Sequence, residues 1–332
     1  MAEGILVIGP RWVGDMVMAQ CLIAALKELY PASAIDVMAP AWAAPLIDRM
    51  PEARARVDAP FKPKEFGLFE RLKVGRSLRG RYDRAYVLPG SWKSALVPFI
   101  AGIPVRVGFL REMRYGLLNR IVPLPKARKR RTAEMFHLLA GGGAFRPPHL
   151  AIDAGNQAAL LASHGLQAGG YAALMPGAEF GPAKRWPEDK YAALARHFAE
   201  RGLRTILLGS AKDREVGEAI TALVPDVLDL TGQTRLEDAI DLLGGARIAV
   251  ANDSGLMHVA AAVGTPVVGV YGSTSYDNTP PLTDRRDLVS LHLTCSPCHQ
   301  RECPLGHLDC LRTLGVDRVA EAADRLLAAV PS

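Results

Sequence analysis

A two-domain α/β protein built on parallel sheets is predicted by three observations. Apolar strand-like runs alternate with helix-like ones along the chain, the runs end in Gly, Pro, Asn or Ser, and 332 residues suffice for two cores at about 100 to 200 residues each. The alternation matters because parallel neighbours must be joined by a crossover, usually a helix.

In order, "ILVIG" reads as the first strand, and a helix follows from Met16 to Leu29 with Val17, Leu22, Ile23, Leu26 and Leu29 apolar. "AIDVMAP" and "RAYVLPG" continue the strands. The segment "FRPPHLAIDAGNQAALLASHGLQAGG" breaks the alternation with Pro147, Pro148, Gly169 and Gly170, so the domain junction is placed inside it, with domains 1–165 and 166–332. The beat restarts with "YAALMPGA", a helix from Lys190 to Glu200, "RTILLGS", a helix from Asp213 to Leu223, "VLDLTG", a helix from Leu236 to Leu243, "RIAVANDSG" and "PVVGVYG". The last stretch, Val316 to Val330, is amphipathic, with Val319, Ala322, Leu326 and Leu327 on one side. It is placed in the second domain, with the option of packing back toward the first.

Apolar residues are 49% and charged residues 22% of the chain, as in soluble globular proteins. No apolar run reaches the roughly 18 residues that span a bilayer, and "MAEGILVIGP" lacks a basic leader, so a cytoplasmic location is expected. Charge is split: residues 1 to 150 carry 24 Lys and Arg against 12 Asp and Glu, the remainder 16 against 22. The basic half suits a polyanion such as nucleic acid, anionic lipid or a phosphorylated substrate, although the "KARKRR" loop, Lys126 to Arg131, is equally a solvated face.

The stretch "ILVIGPRWVGDMVMAQ" has Gly9, four residues and Gly14, the glycine frame of a P-loop, but Asp15 stands where the lysine would be. A carboxylate suits the helix dipole and does not hold phosphate. Three loops of the second half carry the opposite chemistry. In "MPGAEFGPAKRWPEDKY", Gly177 and Gly181 allow close backbone approach. Lys184 and Arg185 bring positive charge just before a helix start, which is unfavourable unless an anion is shared. "LLGSAKDREVG" ends a strand at Gly209 and opens a helix at Asp213, by itself an ordinary capped loop. In "VANDSGLMHVAAAVGTPVVGVYG", Asn252, Asp253, Ser254 and Gly255 open a helix whose N–H groups form an anion seat, a carboxylate beside it can hold sugar hydroxyls, and His258 lies one turn in. A histidine there is otherwise an ordinary core residue.

Taken together, "IGPRWVGDMVM", "DVMAPAW", "YDRAYVLPGSWKSALVPFIAGIPVRVGF", "EMRYGLLN", "PGAEFGPAKRWP", "LLGSAKD" and "NDSGLMHVAAA" resemble the ADP-heptose:lipopolysaccharide heptosyltransferases of glycosyltransferase family 9, in order from about residue 5 to 275. "PGAEFGPAKRWP" and "EMRYGLLN" favour the type II branch over types I and III. The resemblance implies the GT-B fold: two Rossmann-like doubly wound domains facing across a cleft, the acceptor held mainly by the first and ADP-heptose by the second. It implies inverting transfer of L-glycero-D-manno-heptose to the first inner-core heptose of lipopolysaccharide, with no catalytic metal and no cofactor. Carried onto matching positions, Asp15 is the general base and Lys184 the diphosphate contact. Asp213 becomes a nucleotide contact in a region where the family varies and Glu215 is close by. Gly177, Glu179, Asp253, Ser254, Gly255 and His258 line the donor seat. Trp12, Lys93, Arg111 and Arg114 are acceptor candidates, arginine's fork suiting phosphate and carboxylate. Peripheral contact of the basic half with the inner membrane is a further expectation.

Of the five cysteines, Cys21 is assigned to the core. The rest form C-x2-C-x4-C-x6-C at Cys295, Cys298, Cys303 and Cys310, with His299 and His307 among them. A structural thiophilic metal and reduced loop thiols both remain open, since the spacing is not that of a zinc finger. A nucleic-acid-binding protein is disfavoured by the lack of aromatic-basic interleaving, and a dinucleotide-dependent dehydrogenase by the lack of G-x-G-x-x-G after the first strand.

Overall fold

The computed structural model describes residues 4–61, 65–124 and 131–329. Two compact units, residues 1–148 and 149–332, each contain one parallel six-stranded sheet. The first unit carries β1 (Gly4–Ile8), β2 (Ala34–Ala39), β3 (Ala55–Asp58), β4 (Arg84–Val87), β5 (Val105–Phe109) and β6 (Arg120–Val122), ordered β3-β2-β1-β4-β5-β6. The second carries β7 (Tyr171–Met175), β8 (Arg204–Leu207), β9 (Leu228–Asp229), β10 (Ile248–Asn252), β11 (Val267–Val270) and β12 (Arg286–Val289), ordered β12-β11-β10-β7-β8-β9. Both orders are the doubly wound 3-2-1-4-5-6, whose strand order reverses between the first and fourth strands. The α/β class and the presence of two such sheets agree with the sequence reading.

The central strands are largely apolar because helices cover both faces. All of "GILVI" in β1, "YAALM" in β7 and "IAVAN" in β10 is buried. The helix after β1 runs Val13–Leu29, three residues earlier than its apolar spacing indicated, and is buried from Met16 to Leu26. Gly14 thus lies in the first turn of the helix and Asp15 directly after it. Gly9 packs closely: a Cβ there would lie 2.7 Å from Met16 Cε and 3.3 Å from the Met38 carbonyl oxygen.

The domain boundary differs from the expected one, whereas the placement of the last helix in the second domain does not. The boundary falls at 148/149, before the expected 165/166, because the helix Ala154–His164 packs against the helix Leu236–Gly245 of the second unit. Asp153 caps that helix through the N–H groups of Gly155 and Asn156 and donates its own N–H to Asp241. The last helix, Val316–Ala328, packs on β10, β11, β12 and the helix Glu188–Ala199, so it belongs to the second unit's core. Residue 330 and residues 126–130 of the basic loop lie outside the described residues. Among the described residues, no helix is long and apolar enough to cross a membrane.

Candidate functional site

The second unit brings Lys184 and Asp253 together where the strand order reverses, beyond the carboxyl ends of β7 and β10. In open α/β sheets this is where ligands bind. Asn252 joins the two strand ends, its Nδ2 donating to the Pro176 carbonyl at 2.6 Å. Its Oδ1 accepts from the Trp186 N–H at 3.1 Å and the Tyr191 hydroxyl at 3.0 Å, which pins the lysine-bearing loop to the sheet.

Lys184 ends a 3-10 turn, Pro182–Lys184, and points back to the next residue of the β10 loop. Its Nζ donates to Asp253 Oδ2 at 2.6 Å and to the Asp253 carbonyl at 3.3 Å. The anion that a cation before a helix start demands is thus supplied internally by Asp253. Thr274 donates its hydroxyl to the same carboxylate oxygen at 2.7 Å. The Lys184 ammonium also lies 4.9 Å from the Phe180 ring centroid.

The helix Gly255–Ala262 begins after Ser254, which is extended and whose hydroxyl makes no capping bond. The first-turn N–H groups are therefore not satisfied by their own N-cap side chain, the condition for seating an anion. His258 is buried, and burial pushes its pKa down to about 4, with the Asp253 charge working against that shift and Lys184 adding to it. The ring is neutral at pH 7 and can donate one N–H.

Gly177 follows β7, and a Cβ there would lie 2.4 Å from the Asp213 carboxyl carbon, so only glycine fits. Asp213 is buried and its Oδ2 accepts from the N–H and hydroxyl of Ser210 at 2.9 and 2.8 Å. That bonding gives it a role in shaping the β8 loop against Gly177. Glu179 is exposed and paired with Lys212 at 2.5 Å, an interaction that solvent screens. Glu215 is exposed in the first turn of the helix Arg214–Leu223.

In the first unit, Trp12 precedes the helix after β1 and is 52% exposed, while Asp15 is half-buried in that helix's first turn. Asp15 has an interaction of its own within the protein. Lys93 follows β4 and its Nζ reaches the Glu65 carbonyl at 3.4 Å. Arg111 is exposed, its stem against Gly90. Arg114 is corrected from acceptor contact to structural residue: it is 1% exposed, and its guanidinium donates to the Pro89 and Phe109 carbonyls at 2.7 and 2.5 Å. Trp92, 44% exposed, stacks at 5.1 Å on Phe66, a pair that no local spacing signalled.

Cys21 is buried, as expected of a core residue, and all five cysteines are free thiols. Burial raises the pKa of Cys310, and the charges of Cys295, Cys298 and Cys303 raise it further, so the four thiols share one neighbourhood. Among the described residues no group of three His, Cys, Asp or Glu is arranged to hold an ion. Phe180, Thr274 and Arg301 also belong to the site's surroundings and were missed in the sequence, because nothing in their spacing signals a contact made across loops.

A family model described as glycosyltransferase family 9 (heptosyltransferase) matches residues 71–309. The chain is 42% identical to lipopolysaccharide heptosyltransferase 2 of Escherichia coli K12 over 97% of this chain and 98% of that protein. It is 43% identical to lipooligosaccharide heptosyltransferase 2 of Haemophilus influenzae over 86% and 88%. The solved structure of E. coli ADP-heptose LPS heptosyltransferase II matches with TM-score 0.87 at 41% identity, covering 98% of this chain and 99% of that one.

Proposed function

The chain belongs to glycosyltransferase family 9, and from that premise we propose that it moves heptose from ADP-heptose to the first inner-core heptose of lipopolysaccharide. The observation that carries this reading is the buried Lys184–Asp253 pair beside the uncapped start of the helix Gly255–Ala262, in a chain colinear with type II enzymes. A diphosphate fits that arrangement: it can share Lys184 with Asp253 and accept from the N–H groups after Ser254.

The proposed reaction is a single displacement with inversion. The acceptor hydroxyl attacks the anomeric carbon, its proton passes to Asp15, and the bond to ADP breaks with the electron pair leaving on the diphosphate. Charge grows on ADP as that bond breaks, so Lys184 and the helix N–H groups favour the transition state over the ground state. Neutral His258 supplies one further donor without adding charge. Gly177 keeps the strand end open to the nucleotide, with Asp213 as its wall and Glu179 at the rim. Lys184 and the helix start perform the charge neutralisation, so the mechanism is proposed to run without a metal.

For the acceptor, Trp12, Lys93 and Arg111 are the proposed contacts in the basic first unit, whose charge also suits peripheral contact with an anionic membrane. The test is ADP release with three acceptors. Release that requires a core bearing one heptose supports the proposal, and an unchanged rate in excess chelator supports metal independence. Release with a heptose-free core, or with water alone, overturns the acceptor assignment.

A further inference from the structure

The segment 296–301, inside the cysteine-bearing stretch, touches both sides of the Lys184–Asp253 pair. On the aspartate side, Ser296 Oγ donates to the Gly272 carbonyl and the His299 N–H donates to the Ser273 carbonyl at 2.7 Å. Thr274, the next residue, donates to Asp253. On the lysine side, the Arg301 carbonyl accepts from the Ala183 N–H at 3.1 Å and Arg301 Nε donates to the Phe180 carbonyl at 2.7 Å. The Arg301 guanidinium lies 5.7 Å from the centroid of the Phe180 ring that also faces Lys184.

Two features show how closely these parts are fitted. A Cβ at Gly181 would come within 2.5 Å of the Arg301 carbonyl oxygen, so the lysine loop and the segment are in backbone contact. At the aspartate-side anchor, His299 holds φ 56°, a left-handed conformation costing a non-glycine residue about 1 kcal/mol or more, which persists only where the surroundings impose it.

We infer that residues 296–301 are a positioning strap that fixes the Lys184 ammonium relative to Asp253, with Arg301 as its principal side chain. The inference rests on the reading of Lys184 as the diphosphate contact. Arg301 does not itself bind the donor. It holds the Phe180–Lys184 turn so that the ammonium is aimed before ADP arrives, and the cost of ordering the lysine is met in folding rather than in binding.

The experiment is a double-mutant cycle on ADP affinity by calorimetry, using the full chain with Arg301→Ala, Lys184→Ala and both. Arg301→Ala is expected to weaken ADP binding about tenfold, and Arg301→Lys to show the same direction, since a lysine keeps the charge and loses the Nε bond. In the Lys184→Ala background, Arg301→Ala is expected to change affinity less than twofold. Equal losses in both backgrounds, or no loss in either, overturn the strap while leaving Lys184 in place. ADP affinity unchanged by Lys184→Ala overturns the diphosphate reading and the strap with it. Should Arg301→Ala fail to fold, Gly181→Ala, which presses on the same carbonyl, replaces it in the cycle with the same expected pattern.

Discussion

Lys184 Nζ and Asp253 Oδ2 stand 2.6 Å apart with their side chains 13% and 6% exposed, an ion pair almost wholly out of water at the end of the second sheet. Removing one member of a buried pair leaves the other uncompensated, at about 3 to 5 kcal/mol, whereas replacing both by apolar groups can be near neutral. Lys184→Met alone is therefore expected to lower stability by about 3 kcal/mol in urea denaturation, and Lys184→Met with Asp253→Leu to recover most of it. Neither protein should bind ADP well. Equal stability of the single and double variants would show that the pair is not energetically coupled.

His258 makes the fold sensitive to acid. Its folded pKa, about 4, lies below the ordinary 6.5, so between those values the unfolded chain binds the proton and the native state does not. Its contribution is intact above pH 6.5 and is lost as pH falls toward 4, reaching about 3 kcal/mol. Stability against pH in urea should fall over that window, and His258→Gln should flatten the fall there. An unchanged slope in the variant would place the titration elsewhere.

Arg111 and Arg114 should separate cleanly despite lying three residues apart. Arg114→Met strands the Pro89 and Phe109 carbonyls and is expected to cost about 3 kcal/mol of stability, visible as a lowered Tm. Arg111→Met, at an exposed side chain, should leave Tm unchanged and raise KM for the acceptor. A matching drop in Tm for both would remove Arg111 from the acceptor contacts.

Asp15→Asn tests the proposed base. Donor affinity should stay within about twofold while turnover falls at least a hundredfold, the low end of what a positioned base contributes. The helix-dipole part of its contribution to stability is less than about 1 kcal/mol, and its own interaction within the protein adds to that, so a modest fall in Tm is expected beside the much larger loss of turnover. Near-normal turnover would remove Asp15 from the proposed mechanism.

Periodicity and loop chemistry were legible without coordinates. The apolar runs of β1, β7 and β10 announce strands buried on both faces, and Gly177, Lys184, Asp253 and Ser254 stand at strand ends where an α/β sheet binds ligands. Short or polar elements were not legible: β3, with its "ARVD", has no apolar run, and β12 is set by pairing with β11. The sequence by itself determined which segments alternate and which loops carry cations and carboxylates, because those follow from side-chain chemistry and spacing along one strand or helix. Tertiary structure alone decided that Asp253 is the anion held by Lys184, that Arg114 faces inward, that the helix Ala154–His164 joins the second unit and that Arg301 reaches the lysine loop. Each is a contact between residues far apart in the chain, and its partner is chosen by packing and by the need to satisfy buried charge, which no local pattern encodes.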